Sequence, residues 1–394
     1  MSTLKFNREY KIANIALKIG RSSPYATYDI WHKINTFVYV FVSCFCFVFL
    51  TYSIIFHDIP KQNYSEATKN VLMSIIATII VFKLIILYHH RLSVIRLIQI
   101  MDEDYEAAQH FPEEDKFVIL KYSQKGKSIC VIWCFIAGYT ALVFPSKAMY
   151  SMACSYINGE FTLVPMFDMT YPQFINDHKY EPFVYCLLFL VTSLFALFAS
   201  SMYIGFDPLA PIFVLHTCGQ LHLLSRRILK IFDENCHPSD VKKNLKNINI
   251  KLASIYSFVK EVQDVFTVMF EYNLKITTIL IPMAAFQIFE SLRRYEFNAE
   301  FTVFFFGTLC HFYFPCYYSD QLMETSEMMR QAIYSCGWEN NTSIENKKII
   351  LFMLTRTTIP LVIRTIFYPI CLDTFAEMCR QSFAIYNIMN AAWV

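Results

Sequence analysis

Seven stretches of the chain are apolar for roughly the length a bilayer demands, and polar residues return in bunches between them. They fall at about 34–56, 68–88, 128–144, 182–206, 262–289, 299–318 and 358–392. Lipid leaves backbone amides and carbonyls no outside partner, so each is expected to be a helix. The connections are unequal in charge. Residues up to Lys33 carry six Lys and Arg, 89–127 carry six and 207–260 carry eight, against two each in 57–69, 147–181 and 291–300. Basic connections stay in the cytoplasm, which predicts an inside N-terminus and an outside C-terminus. The first thirty residues have no apolar run of the signal-peptide kind, so no cleavage is expected.

The basic connections have a helical pattern of their own. Val241, Leu245, Ile248, Leu252, Ile255, Val259 and Val262 recur every three or four residues after a helix start at Ser239 and Asp240. Phe117, Leu120 and Ser128 continue the pattern ahead of span three. Such faces outside the membrane must pack on something, and an intracellular helical collar is expected. The fold class is therefore all-α, a seven-transmembrane helical membrane protein with its N-terminus inside. Its parts are a cytoplasmic segment (1–33), helices one to six (34–319), an intracellular anchor (320–357) and a last helix (358–394).

Composition agrees. Of the 394 residues 55% are hydrophobic and only 17% charged, with 38 Phe and a mean hydropathy of +0.36. A net charge of +2 offers nucleic acid nothing to bind. Thirteen Cys without a CxxC pair argue against a zinc ribbon or a disulfide scaffold. No GxSxG, HExxH or phosphate-binding loop occurs, so neither an enzyme nor a cofactor is expected. No carboxylate stands at ligand spacing from His89-His90, His216 or His222, so no metal is expected either. Glu271 and Lys275 are one turn apart in span five, placed to neutralise each other, and Cys130 and Cys134 read as core thiols. Of the sequons, Asn63 falls outside and is the expected glycan site, while Asn340 and Asn341 fall inside and are expected to stay bare.

The last span is too polar for lipid. Arg364, Asp373, Glu377, Arg380, Gln381, Asn387 and Asn390 interrupt it, and each charge at mid-bilayer costs about 2.5–3.5 kcal/mol or more. Thr374, Glu377, Gln381, Ala384 and Ile388 form one stripe. Either the stripe is a polar seam buried among helices, or it borders a water path that needs several subunits to enclose.

The C-terminal third resembles the insect odorant receptor family. The carrying residues are 320–326 (DQLMETS), 332–339 (AIYSCGWE), 372–375 (LDTF) and 382–389 (SFAIYNIM), with a weaker echo at Asp207-Pro208-Leu209 and Gln220 to Leu224. Family members often have Ser-Tyr-Ser where this chain has Ser382-Phe383-Ala384. Thr374-Phe375 with Gln381 also approaches the related gustatory signature, which leaves a gustatory-type receptor as an alternative. The co-receptor's long insertion between spans four and five is absent, so the resemblance is to a ligand-tuning subunit.

The resemblance implies an odorant-gated, non-selective cation channel, heterotetrameric with the odorant co-receptor, in the plasma membrane of a sensory neuron dendrite. It implies a small apolar volatile bound in the outer half of the helices. The residues expected there are Leu72, Met73 and Ile76; Phe135, Gly138, Tyr139 and Leu142; Phe183, Tyr185, Cys186 and Phe189; Thr278, Ile281 and Phe286; and Phe301 and Phe305. It places Ile388 at an apolar ring closing a pore lined by the last helix, with Gln381 and Asn387 beside it. From other classes, a G-protein-coupled receptor is disfavoured by the inside-rich N-terminus, and a secondary transporter by the lack of matching halves.

Overall fold

The protein, described by a computed structural model over residues 4–20, 22–26, 29–159, 161–232, 238–295, 298–340 and 343–393, is built of helices. In chain order these are α1 (Phe6–Glu9), α2 (Lys11–Ile19), α3 (Ile30–Ser53, widening into a π turn at Ile54–Asp58), α4 (Tyr64–His89), α5 (Arg91–Ala108), α6 (Glu113–Ile157) and α7 (Gln173–His178). Then follow α8 (Pro182–Gly205), α9 (Leu209–Leu229), α10 (Pro238–Arg293), α11 (Ala299–Tyr334), α12 (Ile344–Arg356) and α13 (Leu372–Trp393). Among the described residues, five helical segments are long and apolar enough to cross a bilayer, and they contain the first five expected spans. The expected sixth and seventh spans fall on α11 and α13.

One expected boundary moves, and one helix outruns its expected span. The sixth span was expected to end near 318, but α11 runs on unbroken to Tyr334, because loss of apolar character marks where a helix leaves lipid and not where it stops. The seventh helix was expected from 358 and begins only at Leu372. Residues 358–371 instead form a tight excursion closed by an antiparallel bridge between Arg364 and Pro369. The motif residues of α11 hold it. Ser326 Oγ accepts from Leu361 N at 3.0 Å, Ser319 Oγ from Ile363 N at 3.1 Å, and the Asp320 carboxylate from Leu372 N at 3.0 Å at the start of α13. A carboxylate suits a helix N-terminus because the first amides there lack partners inside the helix.

At the basic end, α5, the start of α6, α9, the first half of α10, the end of α11 and α12 pack into the expected collar. The α10 stripe from Val241 to Val262 is buried throughout. Helix α9, buried on all sides over most of its length, is the collar's post. His216 finds a carboxylate that sequence spacing did not offer: its Nε2 lies 3.0 Å from Asp104 of α5, which also takes the Lys251 ammonium. Burial alone would raise the Asp104 carboxyl, but His216 and Lys251 outweigh it and hold it below its ordinary value of 3.8. A depressed carboxylate stabilises the fold above its ordinary value and stops doing so only as pH falls through the lowered one, so this tie is complete at neutral pH. The N-terminal segment joins the same core. Phe6, Tyr10, Ala13 and Leu17 are buried, and the Tyr10 ring lies so close to Gly126 of α6 that a Cβ there would meet it at 2.8 Å.

Candidate functional site

A cavity of about 100 Å³ lies among α4, α6, α8, α10 and α11. Each long helix offers one turn-spaced face: Trp133, Ile136, Ala137, Thr140, Ala141 and Phe144 on α6, Ala196, Ala199, Ser200 and Tyr203 on α8, and Phe304, Gly307, Thr308 and His311 on α11. Met73, Ile76 and Ile79 come from α4 and Leu280 from α10. The space exists because small residues (Ala137, Ala141, Ala196, Ala199, Gly307) alternate with large ones that hold the helices apart. The walls are apolar in effect as well as composition. Thr140 and Thr308 each donate to the carbonyl four residues back at 2.8 Å, and Ser200 to Leu197 O at 3.0 Å.

Polarity gathers at the inner end. Lys83 of α4 is fully buried, with Nζ 2.6 Å from Asp207 Oδ1 and 3.6 Å from the centre of the Tyr203 ring. His311 Nε2 lies 3.1 Å from Asp207 Oδ2. Asp207 sits in the turn between α8 and α9, so the triad ties α4 and α11 to that turn directly beneath the cavity. Trp133 packs edge-on to His311 with ring centres 5.7 Å apart, and Tyr203 does the same at 5.5 Å.

The outer end is closed by aromatic rings. Phe167, from the connection between α6 and α7, lies 5.1 Å from Phe144 and 6.4 Å from Phe195, ring centre to ring centre. Above it opens a polar vestibule of about 440 Å³ that shares Met73, Phe144 and Phe167 with the cavity and is edged by the Lys147–Glu300 ion pair at 2.9 Å. Phe167 is thus a plug between outside water and the cavity. The variant Phe167→Ala is expected to speed both onset and decay of any ligand response several-fold; unchanged kinetics in concentration-jump recordings would show that access lies elsewhere.

Of the residues expected at a ligand site, the structure brings Met73 and Ile76 to the cavity. Leu72 is buried beside them without lining it. Phe135, Tyr139 and Leu142 are more than half exposed, and Gly138 has open space where a Cβ would stand, so this stripe of α6 faces outward, one residue out of phase with the lining stripe. Phe183 is 81% exposed. Tyr185 and Phe189 line a separate small crevice with Tyr171, where the Tyr185 hydroxyl donates to Val164 O at 2.8 Å. Ile281 is buried without lining the cavity, its neighbour Leu280 facing it instead, and the Thr278 carbonyl accepts from Ser382 Oγ of α13 at 3.2 Å. A helix apolar on every side gives no phase, which is why aromatic content selected the outward face of α6 and not the one that lines the cavity. The signal in the sequence that marks the cavity-lining face is small residues at turn spacing, Ala137 and Ala141.

Helix α13 packs on α10 through Met378, Ser382 and Met389, which are buried. Tyr386 stacks near Phe289 at 5.5 Å, and Arg293 donates to Asn390 Oδ1 at 3.0 Å. The opposite face carries Glu377, Gln381, Ala384, Asn387 and Ile388, all exposed, with Ile388 at 69%. Within this chain the polar stripe is therefore no buried seam. Glu271 and Lys275 pair at 2.9 Å, as their spacing implies. Asn63 is exposed and caps α4, its Oδ1 accepting from Glu66 N, and the Asn341 sequon lies outside the described residues.

Fold and site together define a polytopic helical membrane protein with a small apolar cavity beneath an outward vestibule. The family described as 7tm Odorant receptor matches residues 63–383, most of the chain, and the chain belongs to that family. The gustatory-type and G-protein-coupled alternatives give way to it. The chain is 27% identical to Odorant receptor 13a of Drosophila melanogaster over 224 residues (53% of this chain, 54% of that protein). It is 22% identical to Odorant receptor 85f of the same species over 270 residues (67% and 66%). It thus spans about half to two thirds of the length of these relatives. Among solved structures it resembles the insect olfactory receptor OR5 from Machilis hrabei. The TM-score is 0.78 against the complex with eugenol, at 13% identity over 98% of both chains, and 0.73 against OR5 alone, at 14% identity over 97% of both. At that identity the likeness establishes the fold.

Proposed function

We propose that this chain is the odorant-binding subunit of a ligand-gated, non-selective cation channel, working with a co-receptor subunit in a heterotetramer of the sensory dendrite's plasma membrane. The observation that carries the reading is the apolar cavity lined by five helices in the outer half of the bundle, one helix away from α13. OR5, whose fold this chain shares, has been solved in complex with eugenol. On this reading the basic collar is cytoplasmic and the exposed stripe of α13 borders the shared pore.

The cavity's size suggests how binding reaches the pore. At about 100 Å³ it is smaller than the roughly 150 Å³ that accommodates benzene in an apolar protein core. An odorant of ordinary size is held more fully if the outer helices spread, so it favours the spread population over the closed one. Helix α10 passes the change on. Leu280 lines the cavity, and two residues earlier the Thr278 carbonyl holds Ser382 of α13. Spreading draws α13 off the axis, exchanging an apolar constriction at Ile388 for Gln381 and Asn387.

Ala199→Phe, which places a ring in the cavity, is expected to abolish odorant-evoked current or raise the half-maximal concentration more than tenfold, while direct agonism of the co-receptor still opens the channel. An unaltered odorant dose–response at normal surface density would remove the cavity from the mechanism.

A further inference from the structure

We infer that a crevice between the basic ends of α3 and α4 binds an anionic phospholipid from the adjoining leaflet. The phosphate sits between Lys33 and Arg91, and an acyl chain follows the groove into the membrane. The crevice has a volume of about 430 Å³ and shares no lining residue with the cavity or its vestibule. Its two cations stand at headgroup depth, Lys33 just before the first apolar stretch and Arg91 just after the second. About two helical turns deeper the walls are apolar, formed by Val40 of α3 and Leu84 and Ile85 of α4. Ile85 is exposed, as is Phe37 on α3, so the groove opens on the side where lipid lies.

Charge narrows the headgroup. No carboxylate lines the crevice among the described residues. Arg91 is set in place by two backbone carbonyls, donating from Nε to Pro24 O at 2.5 Å and from Nη2 to Ala26 O at 2.6 Å. Those acceptors are neutral and leave its positive charge uncancelled. Lys33 is exposed, and its flexible stem lets the ammonium meet a phosphate. Basic side chains at the membrane edge attract anionic lipid in this way. A choline lipid has the same phosphate but adds a cation to a site that already holds two. A free phosphate ion fails differently. A water takes about 30 Å³ in the liquid, so an ion a few times larger leaves most of the crevice, apolar wall included, to water. A lipid fills both parts, and it ties α3, α4 and the segment 22–26 together.

The inference stands apart from the odorant reading, and its test reads no current. The full chain is purified in detergent and its thermal unfolding followed by tryptophan fluorescence. Phosphatidylinositol, phosphatidylcholine or glycerophosphoinositol is added, the last having the headgroup without acyl chains. Phosphatidylinositol is expected to raise the midpoint by about 3 °C, because a ligand held only by the folded state stabilises it. The other two should raise it by less than half as much. Lys33→Gln should lose more than half of the phosphatidylinositol shift. An absent shift, or an equal one from phosphatidylcholine or glycerophosphoinositol, overturns the inference, as does an undiminished shift in Lys33→Gln. Should that variant fail to fold, Thr36→Phe decides, since it fills the groove without removing a charge. It too should lose the shift, and a full shift there overturns the lipid site.

Discussion

Lys83→Met is expected to remove most of the folded protein from the membrane. Lys83 has no water to fall back on: it is fully buried, and its charge is met by Asp207 at 2.6 Å and by the Tyr203 ring. Removing it strands Asp207, with His311 as its remaining neighbour at 3.1 Å. Breaking one side of a buried pair costs about 3–5 kcal/mol, a large part of the roughly 5–15 kcal/mol that holds a domain together. Lipid around the bundle offers no better solvent for the orphaned carboxylate. Removing both charges is a different matter, since a buried pair replaced by apolar groups of similar volume is often neutral. The double variant Lys83→Met/Asp207→Leu should therefore recover much of the surface density that the single variant loses. Surface biotinylation and thermal unfolding in detergent measure both. Wild-type density for Lys83→Met alone would mean that the triad contributes little to the fold.

Ile388→Ala is expected to produce a standing current without any odorant. Ile388 is a large apolar side chain presented to the outside of its own subunit, on the same face as Glu377, Gln381 and Asn387. Nothing in the subunit's core needs it, so the substitution leaves the packing of α13 on α10 through Met378, Ser382 and Met389 intact. In the proposed assembly a ring containing this side chain keeps the pore dry, and a methyl in its place widens and wets the constriction. Basal current several-fold above wild type, at equal surface density and blocked by a pore blocker, is the expected reading. Unchanged basal current would move the gate away from Ile388. The two variants separate fold from gate, because the first acts through stability and the second through water at an exposed position.

What could be read from the amino-acid order alone was whatever a single helix decides by itself. Apolar length announced the membrane class and located the spans, and charge asymmetry grouped the connections that pack into the collar. The Glu271–Lys275 pair and the polar stripe of α13 were legible because one turn of helix creates both. Position within the bundle was not legible. Phe135 and Tyr139 face outward while Trp133, Ala137 and Ala141 line the cavity, and on a helix apolar all round lipid and protein make the same demand of a side chain. Lys83, Asp207 and His311 are more than a hundred residues apart, so no spacing rule connects them. Phe167 belongs to a connection and becomes the cavity's plug through the path that connection takes. The chain by itself determined that it enters the membrane; tertiary packing decided which faces meet, because hydrophobicity distinguishes oil from water but not one apolar neighbour from another.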